Sequence, residues 1–343
     1  MKIKARKKEH VDAAMKRQVE YLTSSGFSDI RFVHNSLPEL DFDAIDTTCQ
    51  LFSKKLAAPI IISGMTGGYP HAKKINLSLA VAAEKEGVAF GLGSQRAMLE
   101  HPETAQTYKV RKVAPSIPII GNIGACQLSF FEPAKVQEAL DEVEADALAI
   151  HLNPLQEMVQ PEGDRKFSGI LAKIEQFCKE ISLPIIVKET GAGISGQVAV
   201  DLKKVGVAMV DVSGAGGTSW SKVEYLRSKQ RPTFAEWGNP TSLCIAQCAG
   251  ILPTIASGGL RSGLDAAKAI ALGASFAAAA LPFIKSKNPQ LEIATWKQEL
   301  ATAMLLSGSK DLAALSKAKI VISGNTAEQM ERIGLSPSTY AIR

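Results

Sequence analysis

No apolar run in this 343-residue chain is long enough to cross a bilayer, although 46% of its residues are hydrophobic. A transmembrane helix needs about 20 consecutive apolar residues, so no membrane association is expected. Cysteine is scarce: Cys49, Cys126, Cys178, Cys244 and Cys248 are scattered and odd in number, which argues against a disulfide framework. Cys244 and Cys248 stand four apart in a predicted helix and read as buried thiols on one face. The first ten residues are charged rather than apolar, so no signal peptide is read there and a reducing cytoplasm is the expected location. Charge of one sign does not dominate either. Thirty-nine basic and 34 acidic residues leave a net charge of +5 spread along the chain, which makes no case for nucleic acid and suits an anionic small ligand. The strand–GxGxxG–helix unit of a nicotinamide-binding domain is absent, as are low-complexity tracts and domain linkers.

What is present is a repeated alternation. Short apolar runs at 59–63, 88–92, 117–121, 146–150, 184–188, 208–212, 253–257 and 275–279 are each followed by a helix-like segment, and the first four start 29 residues apart. That spacing is one βα unit. Eight such units predict a (β/α)₈ TIM barrel in a single domain spanning 1–343. An amino-terminal extension occupies 1–50, and 290–343 reads as carboxy-terminal helical additions. A doubly wound open sheet is the structural alternative, but it does not need eight consecutive units.

Each run ends in polar or glycine-rich residues. In order these are Gly64-Met65-Thr66-Gly67-Gly68, Gly93-Ser94-Gln95-Arg96, Asn122-Ile123-Gly124, His151-Leu152-Asn153, Lys188-Glu189-Thr190-Gly191, Ser213-Gly214-Ala215-Gly216-Gly217-Thr218 and Ser257-Gly258-Gly259-Leu260-Arg261. One glycine cluster alone marks only a turn; seven at successive strand exits converge on one mouth. The fourth exit is the densest, with His151, Asn153, Gln156 and Glu157 within seven residues. Any one of them alone would read as a cap or a satisfied core polar group. A long loop is read at about 217–235, carrying Trp220, Ser221, Lys222, Arg227 and Arg231. Loops of that length are usually binding segments.

Ser257 to Gly263 reads as a phosphate cradle, with glycines for close backbone approach and a following helix amino terminus for polarity. The alternative is tight packing between loops. Ala278-Ala279-Ala280 at the next strand leaves room for a phosphate. A cation at Lys188, an amide at Asn122 and hydroxyls at Thr66, Ser94 and Thr218 then suit a flat phosphorylated cofactor, and flavin mononucleotide (FMN) fits. Lys188 would lie near the electron-rich N1/C2=O edge of its ring; a Schiff-base lysine is the other possibility. The basic run Lys2, Lys4, Arg6, Lys7 and Lys8 reads either as a solvated tail or as cations for an anion.

Taken together, Arg6-Lys7-x-x-His10, Ser63-Gly64-Met65-Thr66-Gly67-Gly68, Gly93-Ser94-Gln95-Arg96, Gly121-Asn122-Ile123-Gly124 and His151-Leu152-Asn153-x-x-Gln156-Glu157 resemble the type 2 isopentenyl-diphosphate isomerases. Pro161-Glu162-Gly163-x-Arg165-x-Phe167, Lys188-Glu189, Ser213-Gly214-x-Gly216-Gly217-Thr218 and Trp237-Gly238-x-Pro240-Thr241 extend the likeness, which runs from residue 6 to about 285. The cradle and Lys188 are shared with flavin barrels at large; the fourth-exit and amino-terminal motifs are the specific ones. Thr190 and Ala192 stand where relatives often carry larger residues, and Leu281 where flavin barrels often have glycine or arginine.

The resemblance implies an isomerase of isoprenoid biosynthesis that interconverts isopentenyl and dimethylallyl diphosphate. It implies reduced FMN as acid and base through N5, Mg²⁺, and NADPH or another reductant to reduce the flavin. By position, Gly64, Met65, Thr66, Ser94, Asn122, Lys188, Ser213, Thr218, Gly258, Gly259, Arg261 and Ala280 would hold FMN. Arg6, Lys7, His10 and Arg96 would bind the diphosphate, and Glu157 the metal. Gln156 would lie beside the reacting carbons, with His151 and Asn153 in the catalytic group. A homo-oligomer, tetramer or octamer, is implied as well. Two rivals remain at this point: an FMN-dependent 2-hydroxy-acid oxidase and a non-catalytic flavin- or phosphate-binding barrel. The oxidase needs a histidine base near the sixth or seventh exit, and no histidine follows His151.

Overall fold

The structure, a computed structural model, describes residues 19–228 and 231–343. Eight strands close into a barrel: β4 (Ile60–Ile62), β5 (Ala89–Gly91), β6 (Ile119–Gly124), β7 (Ala147–His151), β8 (Ile185–Lys188), β9 (Met209–Asp211), β10 (Thr254–Ala256) and β11 (Phe276–Ala279). All eight expected strands are there, parallel and in chain order, and β11 returns to pair with β4 in the register Ala277↔Ile60, Ala278↔Ile61, Ala279↔Ile62. The strands are buried on both faces, which is why they read as unbroken apolar runs rather than alternating ones. Ile61, Ala89, Ile120, Ala147, Ala149, Ile186, Met209, Ile255, Phe276 and Ala278 fill the barrel interior. The alternate set, including Ile60, Ile62, Phe90, Leu148 and Val187, packs outward in the main core. Large Phe276 and Met209 among four alanines let these inner side chains interdigitate at core density.

The end of the barrel where the strands begin is stoppered. A hairpin of β2 (Cys49–Leu51) and β3 (Lys54–Leu56) lays Leu51 and Leu56 against the inner cluster. Lys54 anchors it to Asp146 at 2.8 Å, and Arg111 meets the same carboxylate at 2.6 Å. Asp146 also accepts the Ile119 N–H at 2.7 Å, just where β6 starts. The closed floor leaves the opposite end, where the strands exit, as the open one.

The two extensions meet. β1 (Ile30–Phe32), in the amino-terminal stretch, pairs antiparallel with β12 (Ile320–Ile322). The carboxy-terminal helices were expected; this small sheet and the β2–β3 hairpin were not, because segments of three residues carry too little periodicity to read. The helix Pro289–Leu306 buries Trp296, whose ring lies 4.9 Å from that of Phe283. The stretch 217–235, expected as a long loop, contains the helix Trp220–Ser228. Ser219 starts it, its hydroxyl accepting the Lys222 N–H at 3.3 Å as an N-cap does.

Replacing Asp146 by alanine strands two cations and one strand amide. Asp146→Ala is expected to cost about 2 kcal/mol, seen as a lower melting temperature. An unaltered melting temperature would show that the hairpin is held by its leucines alone.

Candidate active site

The strand exits converge on one cavity of about 260 Å³, lined from all eight strands. Of the cofactor candidates, Gly64, Met65, Ser94, Asn122, Lys188, Ser213, Thr218, Gly258, Gly259, Arg261 and Ala280 line it. So do Arg96, His151, Asn153, Gln156 and Glu157. Thr66 does not: it lies buried behind the wall, its carbonyl held by Gly93 N–H and Asn76 Nδ2, both at 3.2 Å. Arg6, Lys7 and His10 lie outside the described residues. The chain nevertheless enters at this rim, because Tyr21 N–H donates to Gly217 O at 2.9 Å and Ser219 N–H to Val19 O at 2.7 Å.

The fourth exit is built by one short helix, Pro154–Val159, which Pro154 starts directly after β7. His151 Nδ1 lies 2.8 Å from Asn122 Oδ1, on the neighbouring exit. Asn153 donates through Nδ2 to Glu157 Oε1 at 2.8 Å, and Asp164 N–H to Glu157 Oε2 at 2.7 Å. Each Glu157 oxygen therefore keeps a lone pair for a metal. Among the described residues no group of three His, Cys, Asp or Glu side chains could hold an ion. A Mg²⁺ at Glu157 would take its other ligands from substrate oxygens and water, as that ion commonly does. Gln156 reaches across the mouth, its Nε2 donating to Glu224 Oε1 at 3.0 Å.

Glu224 was not anticipated. It is fully buried on the Trp220–Ser228 helix and pairs with Arg227 at 2.5 Å. Arg227 in turn meets Glu162 at 3.1 Å, linking this helix to the Pro161-Glu162-Gly163 turn. The helical spacing Trp220, Val223, Glu224, Arg227 was the available signal, hidden among the polar residues that made the stretch look like loop.

At the fifth exit Lys188 Nζ donates to the Glu189 carbonyl at 2.5 Å. The Glu189 carboxylate collects the N–H groups of Thr190 and Gly191 at 2.6 Å, Gly193 at 3.2 Å, and Ala192. Burial pushes its carboxyl above the ordinary carboxylate range, and those donors together with the Lys188 charge pull it back. Asp211, also unanticipated, ends β9 and accepts from Ser257 Oγ at 2.5 Å. A lone carboxylate in the apolar run Met209-Val210-Asp211-Val212 was its signal.

The expected phosphate cradle needs one correction. The helix Gly263–Leu272 does not present a free amino terminus: Ser262 Oγ accepts Asp265 N–H at 3.1 Å, and Glu299 accepts Gly263 N–H at 2.6 Å. Asp265 also takes the Arg261 N–H at 2.9 Å. The donors left are the loop glycines. Gly258 (φ 101°) and Gly259 (φ 82°) have left-handed backbones, and a methyl on either would collide with Gly214 O or Gly216 O. Among the described residues their N–H groups make no hydrogen bond. The glycines let two loops touch, as the packing reading expects, and the same contact leaves their amides unpaired among the described residues, where an anion could be received. The Ser63 and Thr66 hydroxyls are buried without a partner among the described residues. Unpaired amides, orphan hydroxyls and Lys188 together fit FMN.

Residues 126–322 match the family model described as FMN-dependent dehydrogenase. A protein of Pyrococcus horikoshii named isopentenyl-diphosphate delta-isomerase is 44% identical over 96% of this chain and 95% of its own length. A protein of the same name from Methanothermobacter thermautotrophicus is 43% identical over 99% of each chain. One from Rickettsia felis is 44% identical over 92% of this chain and 96% of its own. This chain belongs to the isopentenyl-diphosphate delta-isomerase family. Among solved structures, a mandelate oxidase with (S)-2-phenylpropionate superposes with a TM-score of 0.62 at 17% identity, covering 92% of this chain and 94% of that one. A mandelate oxidase mutant with a monooxide FMN adduct superposes at 0.60 and 14%, covering 91% and 92%. Those likenesses concern the barrel alone.

Adding one carbon to the cradle tests the site. Gly258→Ala is expected to weaken FMN binding roughly a hundredfold, measured by quenching of flavin fluorescence. Unchanged affinity would show that the phosphate lies elsewhere.

Proposed function

We propose that this isomerase interconverts isopentenyl and dimethylallyl diphosphate with bound reduced FMN and Mg²⁺. The observation that carries the reading is the meeting of Gln156, Asn153 and Glu157 with Lys188 and the Gly258-Gly259 cradle around one cavity. Reduced FMN, when bound, supplies a group able to give and take a proton. Gly258, Gly259 and Lys188 would hold it, with Ser94, Asn122, Ser213, Thr218 and Ala280 along the wall; Thr66, behind that wall, supports the loop rather than the cofactor.

The chain's own residues then have three tasks. The substrate is a small alkene on a highly charged head, so cations must neutralise the diphosphate. Arg96 lies at the second exit, paired with Glu100 at 2.7 Å. Arg6, Lys7 and His10 would join it: Val19 is anchored at the rim, and a dozen or so residues span at most about 40 Å when extended. Second, Glu157 would bind Mg²⁺, which neutralises the diphosphate further. Third, Gln156 and Asn153 would orient the alkene without competing for its proton, since neither amide is a base at neutral pH. Glu224 fixes the Gln156 amide by accepting from its Nε2. A wall of neutral amides protects a cationic species better than strong bases would, provided water is kept out.

The same barrel serves oxidases, and among the described residues His151 is the one histidine in the cavity wall. Its Nδ1 is engaged by Asn122 at the third exit, which leaves the sixth and seventh exits without an imidazole base and favours the isomerase. A homo-oligomer, a tetramer or octamer, would let an amino-terminal arm serve a neighbour's mouth, and NADPH or another reductant would keep the flavin reduced in a cytoplasmic setting. Among the described residues no helix is long and apolar enough to cross a membrane.

The deciding assay is anaerobic conversion of isopentenyl diphosphate with FMN and a reductant. Oxygen-consuming turnover of 2-hydroxy acids without isomerisation would overturn the proposal. Glu157→Gln should lower activity and blunt its Mg²⁺ dependence while FMN stays bound; loss of flavin would move Glu157 to the cofactor. Arg6→Ala should raise KM at least tenfold with little change in kcat, and unchanged kinetics would make the amino terminus a solvated tail.

A further inference from the structure

Beneath the mouth lies a second, smaller void of about 30 Å³ inside the barrel. Ile61, Ala149, Ile186 and Ile255 make most of its wall apolar, but Asp211 opens onto it from β9. Ser63, Asn122 and Lys188 line both cavities, so they form the floor of one and the roof of the other. Lys188 and Asp211 are register partners on adjacent strands. A void of that size has room for about one or two waters, and the Ser63 hydroxyl, without a partner among the described residues, gives a water a reason to stay.

A carboxylate in this position is expensive: burying an ion costs several kcal/mol unless its oxygens are paired. Glu189 next door offsets its burial by gathering the backbone of its own loop. Among the described residues Asp211 has the Ser257 hydroxyl and the Ser213 N–H. Burial pushes its carboxyl above the ordinary range, with Lys188 as the largest opposing influence. A serine or asparagine could tie β9 to Ser257 without an ionisable group, so the carboxyl itself calls for a use, and Lys188, its register partner, lines the same void. The Lys188 ammonium donates to the Glu189 carbonyl, and two buried carboxylates feel its charge, Glu189 beside it and Asp211 on the barrel floor.

We propose that Asp211 is a positioning residue that acts through Lys188: its carboxylate balances the lysine charge from the barrel floor and so sets how strongly the site favours reduced over oxidised FMN. The proposal rests on the cofactor reading above. A negative group under the lysine lessens the positive field on the flavin; removing it favours the reduced form, which carries more negative charge.

The test is the midpoint potential of FMN bound to the full-length protein, measured by equilibration with indicator dyes under nitrogen. Asp211→Asn keeps the shape and the bond to Ser257. It should raise the preference for reduced FMN roughly tenfold, equivalent to about 30 mV upward for a two-electron couple. Asp211→Glu, which retains the charge, should stay close to the parent value. If Asp211→Asn does not fold, Asp211→Ser serves as the second neutral variant, with the same upward shift expected. Bound flavin at an unchanged potential in the neutral variant would overturn the proposal and leave Asp211 as a tie between strands. A parent protein that binds no FMN at all would instead sink the cofactor reading, and the proposal with it.

Discussion

Everything in this molecule depends on the closure of one sheet. The pairing of β11 with β4 turns eight strand ends into a ring, so that residues 64 and 280, remote in the chain, line one wall. Without that seam the glycine-rich exits would be eight unrelated turns. The hairpin that stoppers the other end makes the arrangement directional: leucines close the floor, and the open cavity lies where the strands emerge.

Electrostatics then divide the mouth into sectors. Amides and glycines near Gly258 suit an anion, Glu157 suits a cation, and neutral Gln156 and Asn153 stand between. Besides Glu157, the buried carboxylates at 189, 211 and 224 each accept from a different object: a backbone loop, the Ser257 hydroxyl, and the Gln156 amide. Glu224 is the least local of them, since its partner Gln156 lies 68 positions upstream. The helix that carries it thus links the sixth exit to the fourth.

Much of this is legible in the order of the amino acids. Eight apolar runs at βα spacing predict the barrel because parallel strands buried on both faces need continuous hydrophobicity. Polar exits predict the cavity, and of the described site candidates only Thr66 stays behind its wall. What escapes has physical reasons. The hairpin and the β1–β12 sheet are too short to show a period. The helix Trp220–Ser228 is hidden by polar residues whose burial depends on partners far away in the chain. The capping of the Gly263–Leu272 helix depends on Glu299, more than thirty residues distant, so local sequence suggests a free terminus where there is none. Asp211 stands out as an anomaly, yet its partner Ser257 can be found only in space.

The interlocked glycines at 214, 216, 217, 258 and 259 have a consequence for how such a pocket changes over generations. A side chain on Gly217, Gly258 or Gly259 would run into the backbone of Gly259, Gly214 or Gly216, and one on Gly214 or Gly216 into Thr241 or Ser25, so a single replacement there forces the chain to shift and acceptable alternatives demand simultaneous exchanges. Chemistry elsewhere on the ring can drift one residue at a time, while this corner is inherited whole. A barrel of this kind can therefore acquire a new reaction and still display the old anchor.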